Sequence, residues 1–310
     1  MSPTLPPPPL VAPSTVKRLS LQVARRLDGL LQGEHLGHRL GLGSEPADAR
    51  AYVPGDDVRR IDWAVTARTS ETHVRTTIAE RELESMLVVD LSASMSFGTA
   101  TAEKREVAIA VAAAFLHLAK GPGDRTGALL IGEDGLHSLP PRGGALGAYS
   151  TLSALLRQPR ATTAGAGAPD LAAGLRAAAV RQRRRGLVVV VSDLLDPVES
   201  WHRPLRHLTA RNDVIVAQLV DRRERELPDV GVLRLVDPDS GREVELATNA
   251  RTRARYAEAA AARLAAQAAA VRDAGASHLV VRTEDDWLPQ LARHLVRRRR
   301  VGLAPTTRRT

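Results

Sequence analysis

The chain has 310 residues, 44% of them hydrophobic, which is enough for one large or two modest domains with a buried core. It contains no cysteine, so disulfides, thiolate zinc sites, iron–sulfur ligation and cysteine nucleophiles are excluded, in keeping with a reducing cytoplasm. The net charge of +9 suits a nucleic-acid or acidic-membrane surface, but with 3% aromatic residues there is no base-stacking platform.

Five prolines between Pro3 and Pro9 make residues 1–13 a stiff, extended leader, without the basic and apolar regions of an export signal. Ser14 to Leu31 then places Val16, Leu19, Val23, Leu27, Leu30 and Leu31 at helical spacing, with Ser14 as N-cap. Gly33 to Arg50 is glycine-rich and reads as a loop holding His35 and His38. Arg50 to Trp63 is dense in charge, with a Pro-Gly-Asp turn between two short extended pieces. Residues 14–84 are thus expected to form an N-terminal helix, loop and charged segment.

From about His73 short apolar runs alternate with helical patterns. The runs are Met86–Asp90, Gly127–Ile131, Leu187–Val191, Val214–Val220 and Leu279–Val281, and they suit strands covered on both faces. Helical patterns lie at Lys104–Ala119, Leu146–Leu156, Leu171–Arg184, Arg203–Thr209, Arg251–Ala274 and Trp287–Arg300. The alternation predicts a doubly wound α/β domain with a mostly parallel sheet over 85–300, followed by a tail at 301–310. Val232–Leu246, centred on Pro238-Asp239-Ser240-Gly241, reads as a β-hairpin insertion. Val107 to Ala119 is the longest nearly apolar stretch, short of the roughly 20 residues that a membrane span needs. The basic runs Arg181–Arg185 and Arg297–Arg300 end helical patterns, where cations complement the helix dipole. Solvated helix ends are therefore the first reading of the charge, and a nucleic-acid or acidic-lipid surface the second.

The chemistry concentrates in Asp90-Leu91-Ser92-Ala93-Ser94, directly after an apolar run and ahead of a helix. Ligands of open α/β sheets bind where strand carboxyl ends meet helix starts. One carboxylate and two hydroxyls at alternate positions of a tight loop can converge on a hard cation. Asp193 ends a second apolar run and can face the same crevice. The plainer alternative is that Asp90, Ser94 and Ser96 only satisfy backbone N–H groups at the next helix start. For Arg59 and Trp63 two readings also stand side by side: pinning a loop to the core, and anchoring a partner.

Asp90-Leu91-Ser92-Ala93-Ser94 followed by Met95 resembles the metal-ion-dependent adhesion site of von Willebrand factor A domains, with Asp193 at that site's later acidic position. Arg50 to Trp63, with Ala67-Arg68 and Gly123-Asp124-Arg125, resembles the bacterial domain of unknown function 58 family, whose members carry such a domain. The resemblance covers most of the chain after residue 30. It implies a von Willebrand factor A or Rossmann-like fold, and a Mg²⁺ site (Mn²⁺ or Ca²⁺ as alternatives) at Asp90, Ser92, Ser94 and Asp193. It also implies protein–protein contacts, with a MoxR-type AAA+ ATPase as partner in a chaperone-like or regulatory pair. In one departure, Pro169 stands where the family's metal-binding threonine is expected, so Asp170, Thr163 or water must substitute, or the ion is weakly held or absent.

An enzyme reading starts from the same strand-end acids, which also occur in haloacid dehalogenase-like phosphatases. Those need a second acid two residues after the nucleophile, where this chain has Ser92, and no P-loop or nucleotide fingerprint follows a strand. The expectation is a cytoplasmic, metal-dependent interaction module and not an enzyme.

Overall fold

A computed structural model describes residues 13–33, 49–54, 56–75, 84–99, 102–119, 123–160, 170–236 and 242–302. The leader, most of the glycine-rich loop with His35 and His38, and the residues Thr163 and Pro169 lie outside this set. In chain order the elements are α1 (Pro13–Gly33), β1 (Ala49–Ala51), α2 (Trp63–Thr69), β2 (His73–Arg75), β3 (Glu84–Asp90) and α3 (Lys104–Leu118). There follow β4 (Arg125–Gly132), β5 (Gly135–Gly143), α4 (Gly144–Arg157), α5 (Leu171–Arg181), β6 (Leu187–Ser192) and α6 (Val198–Thr209). The chain continues through β7 (Asp213–Val220), β8 (Val232–Val236), β9 (Glu243–Ala247), α7 (Ala250–Asp273), β10 (Ser277–Arg282) and α8 (Leu288–Gly302).

The main sheet has the order β10-β7-β6-β3-β4-β5, parallel throughout except for β5 at one edge. The strands alternate by the period-2 rule between two apolar layers. Leu87 and Val89, Val189 and Val191, and Ile215 and Ala217 face the cluster built with α1, α3, α4 and α8. Met86 and Val88, Val188 and Val190, and Val214 and Val216 face the cluster under α5, α6 and α7. This two-sided burial is the reason the strands read as continuous apolar runs. The expected doubly wound, mostly parallel α/β architecture is the one observed.

Four features differ from or extend the expectation. Helix α1, which the sequence groups with the N-terminal segment, packs on α3, α4 and α8, with Val23 and Leu27 buried in the core. β5 is an unforeseen antiparallel edge strand carrying Pro140 and Pro141, and its register with β4 shifts between Thr126 and Ala128. α6 starts at Val198 and continues through Pro204, five residues earlier than the periodicity suggests. Arg50 to Trp63 forms β1, a one-turn 3-10 helix at Val58–Arg60 and the start of α2, with β1 paired to β2. The hairpin insertion is β8 paired antiparallel with β9. Among the described residues no helix is long and apolar enough to cross a membrane.

Candidate functional site

The strand order reverses direction between β3 and β6, and this is the switch point at which open α/β sheets place ligands. Val89 pairs with Val191, so Asp90 and Ser192 leave the sheet side by side. The Ser192 hydroxyl donates to Asp90 Oδ2 at 2.7 Å, and the Ser92 N–H donates to Asp90 Oδ1 at 3.0 Å. The latter bond folds the chain tightly into the 3-10 turn Ala93–Ser96, which brings the Ser92 and Ser94 hydroxyls 3.2 Å apart. Asp90 is 6% exposed, and burial together with the neighbouring charge of Asp193 pushes its carboxyl up to about 6.

Asp193 follows β6 and its own carboxylate is divided between two donors. Oδ1 accepts from the Leu195 N–H at 3.2 Å, and Oδ2 accepts from Lys104 Nζ at 2.6 Å. Lys104 is fully buried at the first position of α3; its ammonium also donates to Glu224 and lies 5.8 Å from the centre of the Phe97 ring. Burial alone would lower the Lys104 pKa, but the charges of Asp193 and Glu224 outweigh it and raise it, so the side chain is an ammonium. Burial likewise raises the Glu224 carboxyl, against the pull of Lys104.

A second layer holds these groups in place. Leu194 adopts a left-handed backbone (φ 58°), and its carbonyl accepts from Gln267 Nε2 at 2.6 Å. Gln218 Nε2 donates to Gln267 Oε1 at 2.8 Å, and His278 Nε2 donates to Gln218 Oε1 at 2.9 Å. Asp221, after β7, accepts from the Thr99 N–H at 3.0 Å and from the Thr283 hydroxyl at 2.8 Å, which ties the loop after β3 to the end of β10. Although burial opposes it, this set of donors leaves the Asp221 carboxyl below its ordinary range.

Asp90, Ser92 and Ser94 lie on one short stretch, a buried carboxylate and two hydroxyls of the type that suits a hard cation, and among the described residues no ammonium or guanidinium contacts the Asp90 carboxylate. Asp193 reaches the same crevice, where Lys104 Nζ pairs with its carboxylate at 2.6 Å; among the described residues no three His, Cys, Asp or Glu side chains group together. Asp170 caps α5 by accepting from the Ala173 N–H at 2.6 Å, which accounts for one of its oxygens.

Arg59 and Trp63 sit elsewhere, on the small β1–β2 unit. Asp57 receives the Arg59 N–H, and Asp62 caps α2 by accepting from Ala64 and Val65, which fixes where both residues emerge. Trp63 is 70% exposed, and Val53 and Val58 are exposed beside it in sequence. Trp63 therefore does not bury its ring in the core. Sequence reasoning missed Lys104, Glu224, Ser192 and Asp221. A signal existed for Asp221, which ends an apolar run as Asp193 does.

Residues 48–266 match the family model described as "Protein of unknown function DUF58". "Uncharacterized protein Rv1480" of Mycobacterium tuberculosis is 46% identical over 291 residues, covering 94% of this chain and 91% of that protein. "Uncharacterized protein MAV169" of Mycobacterium avium is 37% identical over 166 residues, 54% of this chain and 96% of that one. Among solved structures, BatB from Bacteroides thetaiotaomicron superposes with a TM-score of 0.46 at 12% identity, covering 70% of this chain and 99% of that one. The SpRpn10 VWA domain gives a TM-score of 0.40 at 10% identity, covering 68% and 94%.

Proposed function

We propose that this chain, which belongs to the DUF58 family, is a protein-interaction module that captures its partner through the Arg59–Trp63 segment and the Asp90 crevice, and that it does no covalent chemistry. The observation that carries the reading is Trp63. The chain has three tryptophans; Trp201 is completely buried, whereas Trp63 is 70% exposed on a segment that also exposes Val53, Val58 and Arg59. Tryptophan and arginine dominate binding hot spots because a large rigid side chain gains contact area at little cost in conformational entropy. Leaving such a residue in water is unfavourable for the free chain and is recovered when a partner covers it.

The partner in this reading is a MoxR-type AAA+ ATPase acting with the chain in a chaperone-like or regulatory pair. The Asp90 loop contributes a second contact, a cation that an acidic side chain of the partner completes. Calorimetric titration of such an ATPase against wild type, Trp63→Ala and Arg59→Ala tests it. Each substitution is expected to weaken binding by at least about thirtyfold, the size of a hot-spot contact, with the circular dichroism spectrum unchanged. Equal binding by all three proteins overturns the assignment of this surface.

A further inference from the structure

We infer that Lys104 is a tethered counter-cation of the Asp90 crevice, which holds Asp193 away from ion coordination and keeps the affinity of the site for divalent cations low. Its position is otherwise unfavourable twice over. A lysine at the first position of a helix faces the positive end of the helix dipole, and a fully buried ammonium loses its hydration. Neither is tolerated without compensation, and the compensation here is two carboxylates reaching it from different elements: Asp193 after β6 and Glu224 after β7. The ring of Phe97 lies over the same nitrogen, and the Lys104 N–H donates to the Phe97 carbonyl at 2.9 Å, so the ammonium is fixed beside the loop that carries Ser92 and Ser94.

The consequence for an ion follows from charge. Affinity for a hard cation rises with the number of anionic oxygens offered to it. With Asp193 held in an ion pair by Lys104, the loop offers an ion one free carboxylate, Asp90, and two neutral hydroxyls. A divalent ion that recruited Asp193 would have to displace a charge-assisted hydrogen bond of 2.6 Å from a donor that cannot diffuse away. The inference rests on the Asp90 loop holding a cation and is independent of which protein the chain binds.

Mn²⁺ titration of the full chain, read by electron paramagnetic resonance, tests it on wild type, Lys104→Gln and the Lys104→Gln/Asp90→Asn double variant. Glutamine retains donors for both carboxylates while removing the charge. Wild type is expected to bind Mn²⁺ weakly, with Kd on the order of 10⁻⁴ to 10⁻³ M. Lys104→Gln should bind at least about tenfold more tightly, and the double variant should lose that gain. Micromolar binding by wild type overturns the inference, as does unchanged or weaker binding by Lys104→Gln, or a gain that survives loss of the Asp90 charge. A purely structural lysine would leave Mn²⁺ affinity unmoved. Should Lys104→Gln fold poorly, Glu224→Gln, which leaves Lys104 to Asp193 alone, takes its place and is expected to bind Mn²⁺ no more tightly than wild type, and tighter binding by it overturns the inference.

Discussion

Replacing Asp90 by asparagine should stabilise the protein at neutral pH when no divalent ion is present. The carboxyl is 6% exposed, and burial with the charge of Asp193 takes its pKa from the ordinary 3.8 to about 6. A raised folded-state pKa means that the native structure prefers the protonated form. The contribution of this group is therefore fully present below about 3.8 and is lost as pH rises through 6. At pH 7.5 the ionised carboxylate then costs at most about 3 kcal/mol relative to its protonated form, since each tenfold change in proton affinity is worth about 1.4 kcal/mol. That is a large part of the ~5–15 kcal/mol that holds a typical domain folded. Asparagine keeps an oxygen for the Ser92 N–H, and its amide can donate to the Ser192 hydroxyl, so the two bonds of Asp90 survive the exchange. Urea unfolding of both proteins in chelator, from pH 4 to 8, measures the difference. The variant should be more stable by about 2–3 kcal/mol at pH 7.5, and the gap should close towards pH 4. A variant less stable than wild type at pH 7.5, or a gap that does not change with pH, refutes the reasoning.

Two further outcomes are expected. His278 is held neutral, its pKa lowered to about 4 by burial, with Arg272 and His294 adding to the effect. Its depressed value means stability is complete above about 6.5 and falls as pH drops towards 4, so His278→Gln should flatten the acid limb of wild-type thermal denaturation; an unchanged limb refutes this. Gly186→Ala should be severe, because an added Cβ would overlap the Glu84 carbonyl oxygen, and the Gly186 carbonyl already accepts from the Asp213 N–H at 3.0 Å. A loss of more than about 3 kcal/mol is expected, and a midpoint shift below about 2 °C in urea-free melting contradicts it.

What the sequence reveals depends on how far apart the interacting residues lie. The strands that end at Asp90 and just before Asp193 are legible because both faces of a parallel sheet must be apolar, so an acid at the end of such a run stands out. The Ser92–Ser94 turn is legible for the same local reason. Lys104 is not: it lies 89 residues from Asp193 and 120 from Glu224, and in sequence it looks like an ordinary polar helix boundary. Only the fold brings the three together. β5 escapes detection because two prolines and polar residues mask its pattern, although an edge strand tolerates a missing donor. The early start of α6 is hidden by Pro204, which reads as a helix beginning rather than an interior residue.

Those same prolines bear on assembly. An edge strand is ordinarily a template on which another chain can lay its own backbone, and proteins suppress such growth by removing donors from it. With Pro140 and Pro141 adjacent on β5, two successive amide hydrogens are missing from the strand, and because successive amides point to opposite sides, one of the two is lost from the open margin of the sheet. A second copy arriving there would find an interrupted ladder, so the sheet stops growing at β5.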